Sequence, residues 1–176
     1  MHHPTRRPAG SFRAGEAVPP RADIEARLTV ELATVVAGAR RRALRDGDRQ
    51  IDTAHLLHSL LETDPEVRAA FTGADQLARV LGYLVQRSIG YGLRWQAGAE
   101  GAPPATPVSG WSPAAVRAMA AALARAAARE DLRAGGTDLL AALAADPECR
   151  AVEVLRHAGV DAEGLAGRLC VESGTG

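Results

Sequence analysis

The stretch Ile51-Asp52-Thr53-Ala54-His55-Leu56-Leu57-His58-Ser59-Leu60-Leu61 decides how this chain is read. Asp52-Thr53 is a polar cap, and Leu56, Leu57, Leu60 and Leu61 form one stripe of a short helix. A weaker echo returns as Gly135-Gly136-Thr137-Asp138-Leu139-Leu140-Ala141-Ala142-Leu143, with Leu56 falling on Leu139, 83 residues on. The chain therefore reads as two copies of one unit. Its function has to be argued from a repeat, because no catalytic motif stands out.

Working outward, the residues before this stretch carry Leu32, Val35, Val36, Ala39 and Ala43 at helical spacing, with Thr29 as N-cap and Gly47 just beyond the end. After it, Asp64-Pro65 opens a third helix, since proline suits the first turn. A fourth carries Leu77, Val80, Leu81, Leu84 and Val85, and Gly90 and Gly92 are expected to end it. The pattern restarts at Ser112-Pro113 with an alanine-rich helix to about Glu130, its inward side Val116, Met119, Leu123 and Ala126. A second leucine helix begins near Thr137, Asp146-Pro147-Glu148 repeats Asp64-Pro65-Glu66, and Asp161 caps a last helix with Leu165 and Leu169. The expected organisation is an N-terminal disordered arm over 1–22, repeat 1 over 23–96, a Pro/Gly linker over 97–110, repeat 2 over 111–170 and a tail over 171–176. Four short helices cannot bury their apolar faces alone, whereas two such units packed together can.

Composition narrows the function classes. Of 176 residues, 47% are hydrophobic and only 3% aromatic, so the core is aliphatic and helical. The net charge is zero, which removes the simplest argument for nucleic acid. All 21 basic residues are arginine, so neither a Schiff-base lysine nor a phosphate-loop lysine exists. Two cysteines, Cys149 and Cys170, indicate no disulfide framework and read as buried free thiols. The N-terminus has arginines but no apolar signal core, and no apolar run is long enough to span a bilayer. A cytoplasmic protein is expected.

The pattern of capped long helix, glycine, Ile-x-Thr-x-His-Leu-Leu-x-x-Leu-Leu, short helix, and last helix opened by Gly-Val-Asp resembles the Clp repeat. That repeat forms the N-terminal domain of Clp/Hsp100 unfoldases, and the likeness is to the ClpC type. It covers residues 26 to 170. Repeat 1 matches through Leu28-Thr29, Ala39, Ala43, Gly47, Ile51, Thr53 and His55-Leu56-Leu57. Repeat 2 matches through Trp111-Ser112-Pro113, Ala126, Leu139-Leu140, Leu143 and Gly159-Val160-Asp161. The resemblance implies an all-α fold of two tandem four-helix repeats packed as a pseudo-twofold domain. It also implies a non-enzymatic receiver of peptide or protein substrates, adaptors, phosphoarginine marks and some cyclic peptide antibiotics. With the repeat pair and no ATPase motif, the chain resembles small stand-alone Clp-repeat proteins of actinobacteria. Those are thought to act as adaptors, decoys or accessory factors of a ClpC-type unfoldase.

The family pattern has Thr-Glu-His at the start of the short helix, and the resemblance implies that this Glu grips a guanidinium. Here the matching positions are Ala54 and Thr137, and neither supplies the charge. Thr29 and Ser112 keep the hydroxyls beside helix N–H groups that suit an anion. Thr29, Ser112, Thr53, Thr137, Tyr91, Trp95 and Trp111 are thus the candidate ligand-binding residues, and tight phosphoarginine binding is not expected. Trp95 and Trp111 flank the linker with Tyr83 and Tyr91 nearby, either anchoring it over the seam between repeats or lining a groove.

Other constellations have plainer readings. His55 and His58 are three apart, but no third metal ligand is evident, so no metal or cofactor is expected. Asp48, Asp52 and Glu62 are explained by capping and solvation. Arg40, Arg41, Arg42, Arg45 and Arg49 read first as a solvated face. An anion or nucleic-acid binder using that face is the competing reading, and an unrecognised small helical enzyme is a third.

Overall fold

Thr29 starts the first long helix as predicted, its hydroxyl accepting from the Leu32 N–H at 3.1 Å. Ser112 does the same for Ala115 at 3.1 Å, with Pro113 in the first turn. The computed structural model describes residues 19–97 and 110–174. Those residues are all-α. A short α1 (Arg21–Glu25) precedes the first unit, which comprises α2 (Val30–Arg45), α3 (Thr53–Thr63), α4 (Pro65–Ala69) and α5 (Ala74–Ala97). The second unit comprises α6 (Pro113–Ala128), α7 (Gly136–Ala145), α8 (Arg150–His157) and α9 (Ala162–Ser173).

The two leucine helices are the centre. Every residue from Thr53 to Leu61 is buried, and so are Gly136 and Asp138 to Ala144. Helices apolar all round lie inside a domain rather than on it. α3 packs against α2, α6, α7 and α8, while α7 packs against α6, α9, α4 and α3. Each fully buried leucine contributes about 2 kcal/mol of transfer free energy, so these two helices dominate the core.

The pseudo-twofold is written in the backbone. The Thr29 N–H donates to the Ala134 carbonyl, and the Ala134 N–H donates to the Arg27 carbonyl. Shifted by one repeat, these become Ser112 N–H to the Ile51 carbonyl and Ile51 N–H to the Gly110 carbonyl, and both bonds are present at 2.8 and 2.9 Å. The segment opening the long helix of each repeat is thus bridged to the segment opening the leucine helix of the other. The repeats interlock.

Helix contacts cross in the same way, with α8 on α3 and α4 on α7. Thr53 Oγ1 accepts the Ala151 N–H of α8 at 3.0 Å. At the twofold position Gly136 has no side chain, because a Cβ there would lie 2.0 Å from Asp64 Oδ2. Both long helices end in a left-handed residue: Gly47 (φ 74) in repeat 1 and, unusually for a side chain, Glu130 (φ 62) in repeat 2.

Several sequence expectations need correction. Asp52, not Thr53, caps α3: it accepts the His55 N–H at 3.0 Å, which frees Thr53 to receive α8. α5 does not stop at Gly90 and Gly92 but continues to Ala97; its anchor is the buried pair Val80 and Leu84, and Val85 faces out. α7 begins at Gly136 with Asp138 accepting the Gly135 N–H. α8 begins at Arg150, because Asp146 uses its carboxylate to turn the chain at Glu148. α1 starts two residues inside the expected arm, tied by buried Ile24 and an Arg21–Glu25 pair. α9 runs through Ser173, into the expected tail. Cys149 is buried but Cys170 is exposed, so the paired reading of two buried thiols fails. Most of the expected linker and arm lies outside the described residues.

Candidate functional site

The reciprocal bridges bring three helix starts together at one place. Asp52-Thr53 of α3, Ser112-Pro113 of α6 and Cys149-Arg150 of α8 line an open groove of about 640 Å³. Arg49, Arg117 and Arg150 line it together with Asp48, Asp52 and Glu148. Arg150 Nη1 donates to Asp52 Oδ2 at 2.6 Å, a bond between repeats. Arg117 pairs with Asp146 at 3.6 Å. The groove is mixed in charge and lined from both units.

Of the predicted site residues, Ser112 and Thr53 meet here. Thr29 lies on the other side of the twofold, against Gly135, with half-buried Thr137 opening the same helix end. Ala54 does not face the groove. It is buried and lines a small cleft with His55, His58 and α5 residues Leu84, Arg87 and Ser88. Trp111 is also a core residue rather than a groove wall, bridged to Ile51 and covered by Arg21, whose guanidinium carbon lies 5.7 Å from the ring. Tyr83 stacks on His157 at 4.9 Å. The side chains of Tyr91 and Trp95 lie outside the described residues.

Behind the groove sits a cluster that sequence spacing did not anticipate. His55 Nε2 faces Asp48 Oδ2 at 2.9 Å and Asp46 Oδ2 at 3.6 Å. Its Nδ1 lies 3.0 Å from the Asp52 N–H and 3.3 Å from Asp52 Oδ1. Asp46 also accepts from Ser88 of α5 at 2.5 Å. Burial disfavours charge on the ring, but the Asp46 and Asp48 hydrogen bonds and the Asp52 charge outweigh it and raise the pKa to about 9. The Asp52 N–H bond suits a neutral ring, so it competes with the carboxylates. With Nδ1 protonated that N–H bond is lost, and Asp52 Oδ1, 3.3 Å away, is the acceptor within reach. Burial alone would raise Asp46, yet hydrogen bonds from His55 and Ser88 keep its carboxyl below the usual range.

The Asp46, Asp48 and His55 ligand atoms lie within 4.8 Å of one another, as metal ligands do. In this structure Nδ1 accepts the Asp52 N–H, so the ring proton lies on Nε2 beside Asp48 and occupies, in this arrangement, the lone pair a metal would need. His58 lines the same cleft but has its own acid partner. It faces Glu62 at 3.3 Å, and burial together with Arg42 lowers its pKa to about 4.

Repeat 2 solves the same position with opposite signs. One repeat on, Asp46 becomes Arg129 and His55 becomes Asp138. Arg129 clamps Asp138 through two bonds of 2.5 and 2.9 Å, and Arg125 approaches at 3.9 Å. Asp138 still accepts the Gly135 N–H at 3.0 Å, as His55 Nδ1 accepts the Asp52 N–H. The exchange was visible in the sequence once the two units were superposed. Arg49, Arg117, Glu148 and Arg150 were not visible as a set, because only the interlocked fold assembles them.

The arginine run of α2 is divided. Arg40 leans 3.5 Å from Glu25 of α1, and Arg42 pairs with Glu62 of α3. These two are tied to different elements.

No family model matches the sequence, and no curated protein matches it either. Solved structures do. The N-terminal domain of the Arabidopsis thaliana Clp-protease-associated chaperone ClpD aligns with a TM-score of 0.56 at 16% identity, over 84% of this chain and 94% of that one. A chain from a structural study of a malarial protein secretion system aligns with a TM-score of 0.62 at 15% identity, over 84% and 95%. At such identities the likeness is one of fold. The fold of this chain is that of Clp N-terminal domains, nine helices among the described residues. Within the described residues, no helix is long and apolar enough to cross a membrane.

Proposed function

We propose that this chain is a non-catalytic, cytoplasmic binding module that receives a peptide segment or an adaptor surface in the groove between its repeats. It would serve a ClpC-type protease system as adaptor, decoy or accessory factor. The observation that carries this reading is the groove where Ser112, Thr53 and Arg150 meet, open to solvent and lined from both units. Its mixed charges suit a polypeptide, whose backbone and side chains offer both signs. Ala54 and Thr137 leave the guanidinium-gripping charge of the related family unfilled, so phosphoarginine is not the ligand favoured here. Thr29 and Thr137 would form the lesser second site, and Tyr91, Trp95 and Trp111 remain proposed as aromatic support. A cyclic peptide antibiotic would compete for the groove. No cofactor or metal is invoked.

The test is calorimetric titration of the full chain with a purified ClpC-type unfoldase and with an unfolded model polypeptide. Arg117→Glu is expected to weaken the supported partner about tenfold, through reversed charge at the groove wall. Absence of heat with both partners, or binding indifferent to Arg117→Glu and Ser112→Trp together, would sink the reading. Nucleic acid as the ligand would instead give affinity falling steeply with salt. The tying of Arg40 to Glu25 and of Arg42 to Glu62 speaks against it.

A further inference from the structure

The two repeats hold the same helix start by ion pairs of opposite polarity, and only the repeat-1 pair is built on an imidazole. In repeat 1 the centre is a histidine ringed by acids; in repeat 2 it is an acid clamped by arginines. The histidine side touches the groove directly, because Asp48 and Asp52 belong both to the ring's shell and to the groove lining. Asp52 further holds Arg150 of α8 at 2.6 Å.

We propose that His55 is a proton-dependent latch on the repeat-1 half of the groove, with the Arg129–Asp138 pair standing at the equivalent place in repeat 2. The groups facing the ring are known from every element around it. Asp46 comes from the end of α2, Asp48 and Asp52 from the α2–α3 connection, and His58 from α3 itself. Ser88 and Arg87 come from α5, and Arg42 lies beyond His58. When the ring is charged, its two N–H groups bind Asp48 with Asp46 on one side and Asp52 on the other. When it loses the proton, Nδ1 reverts to accepting the Asp52 N–H. Three carboxylates then share one buried site with a single N–H donor from the ring, and like charges so placed repel. The connection from Asp46 to Asp52 loosens, and with it the groove floor and the Asp52–Arg150 bond. This does not rest on the binding function, since it concerns the fold's own charges.

The sign follows from linkage. A histidine raised to about 9 in the folded chain, from 6.5, gives stability that is fully present below about pH 6.5 and is lost as pH rises through about 9. On that basis the folding equilibrium constant of the full chain, read by urea denaturation, falls on the order of a hundredfold between about pH 6.5 and about pH 10. His55→Asp alone gathers four acids and is expected to weaken the fold. Adding Asp46→Arg imports the repeat-2 arrangement; the double variant is expected to refold, and its loss over that pH range to be about a hundredfold smaller than the native chain's, the Cys149 thiol, raised by burial, costing both alike. A double variant with the same loss as the native chain would overturn the proposal. Should that variant fail to fold, the native chain decides by nuclear magnetic resonance of the His55 ring. Titration near pH 9, with the Asp48 and Asp52 amides shifting in step, supports the latch. Titration at or below about pH 6.5, or amides that do not follow, overturns it.

Discussion

The two halves of this molecule agree where the backbone speaks and disagree where side chains do. Thr29 and Ser112 begin their helices by the same bond, and the bridges from Ala134 and Ile51 are copies of one another. At the next layer, Thr53 becomes Gly136, Asp46 becomes Arg129 and His55 becomes Asp138. The first exchange trades a hydroxyl that receives α8 for an empty space that admits α4. The second inverts a charge pair while keeping the N–H acceptor that the helix start requires. The helix end demands an acceptor and a neutralised charge, and it is indifferent to which partner carries which sign.

The interlock is the feature most open to breakage. A fragment of residues 1–100 keeps α3 but loses the Ser112 and Gly110 partners of Ile51, the Ala134 partner of Thr29 and the Ala151 partner of Thr53. It also exposes the leucines that face α6, α7 and α8. We expect no cooperative melt by circular dichroism. A fragment melting cooperatively at the full-length temperature would mean that the repeats fold alone and merely touch. The next effect separates the two ion pairs. Arg129→Met leaves Asp138, 3% exposed, with the Gly135 N–H and the more distant Arg125, and should cost about 3–5 kcal/mol in urea denaturation. Asp46→Asn leaves His55 its bonds to Asp48 and Asp52, so it should cost about 1 kcal/mol. Equal costs would mean that Asp138 depends on Arg129 no more than His55 depends on Asp46.

The fold was readable because its signals are local. Leucine and alanine at helical spacing, hydroxyl caps and Gly47 each act within a few residues, and the repeat doubled every one of them. What escaped acts at long range or against a weak rule. Thr53 stands where a cap could be, but Asp52 is the stronger acceptor and Thr53 is needed by Ala151, which sequence proximity cannot reveal. Gly90 and Gly92 looked like a helix end. Each glycine costs only about 1 kcal/mol in a helix, and α5 extends to Ala97 regardless. Trp111 could be read as a seam anchor or a groove wall, and its burial against Ile51 depends on the other repeat's packing. Of the groove, Ser112 and Thr53 were found through their capping chemistry. Its charged members lie on four different segments, and no spacing relates them.

Acid should reveal the asymmetry from the other direction. His58 is buried beside Arg42, and its pKa is lowered to about 4. The unfolded chain takes a proton near pH 6.5 that the folded chain refuses, so stability is complete above that pH and declines as pH falls towards about 4. The expected loss is on the order of 2 kcal/mol, and His58→Gln should remove it. The twofold position holds Ala141, so repeat 2 adds nothing of this kind. A native chain whose urea midpoint is level from about pH 6.5 to about pH 4, once compared with His58→Gln, would contradict the buried neutral ring.

The smallest effect sharpens the comparison most, because it sets stability and binding apart. Thr29 and Ser112 cap α2 and α6 with the same 3.1 Å bond. Thr29→Ala and Ser112→Ala should therefore each cost about 1 kcal/mol, measured by urea denaturation, and should agree within a few tenths. Only Ser112 lines the 640 Å³ groove. If that groove receives the partner, Ser112→Ala lowers affinity while Thr29→Ala leaves it nearly unchanged, at equal loss of stability. Equal losses of affinity would place recognition on both sides of the twofold. A stability cost that differs by more than about 1 kcal/mol between them would mean that the matched caps, and the symmetry inferred from them, are not energetically equivalent.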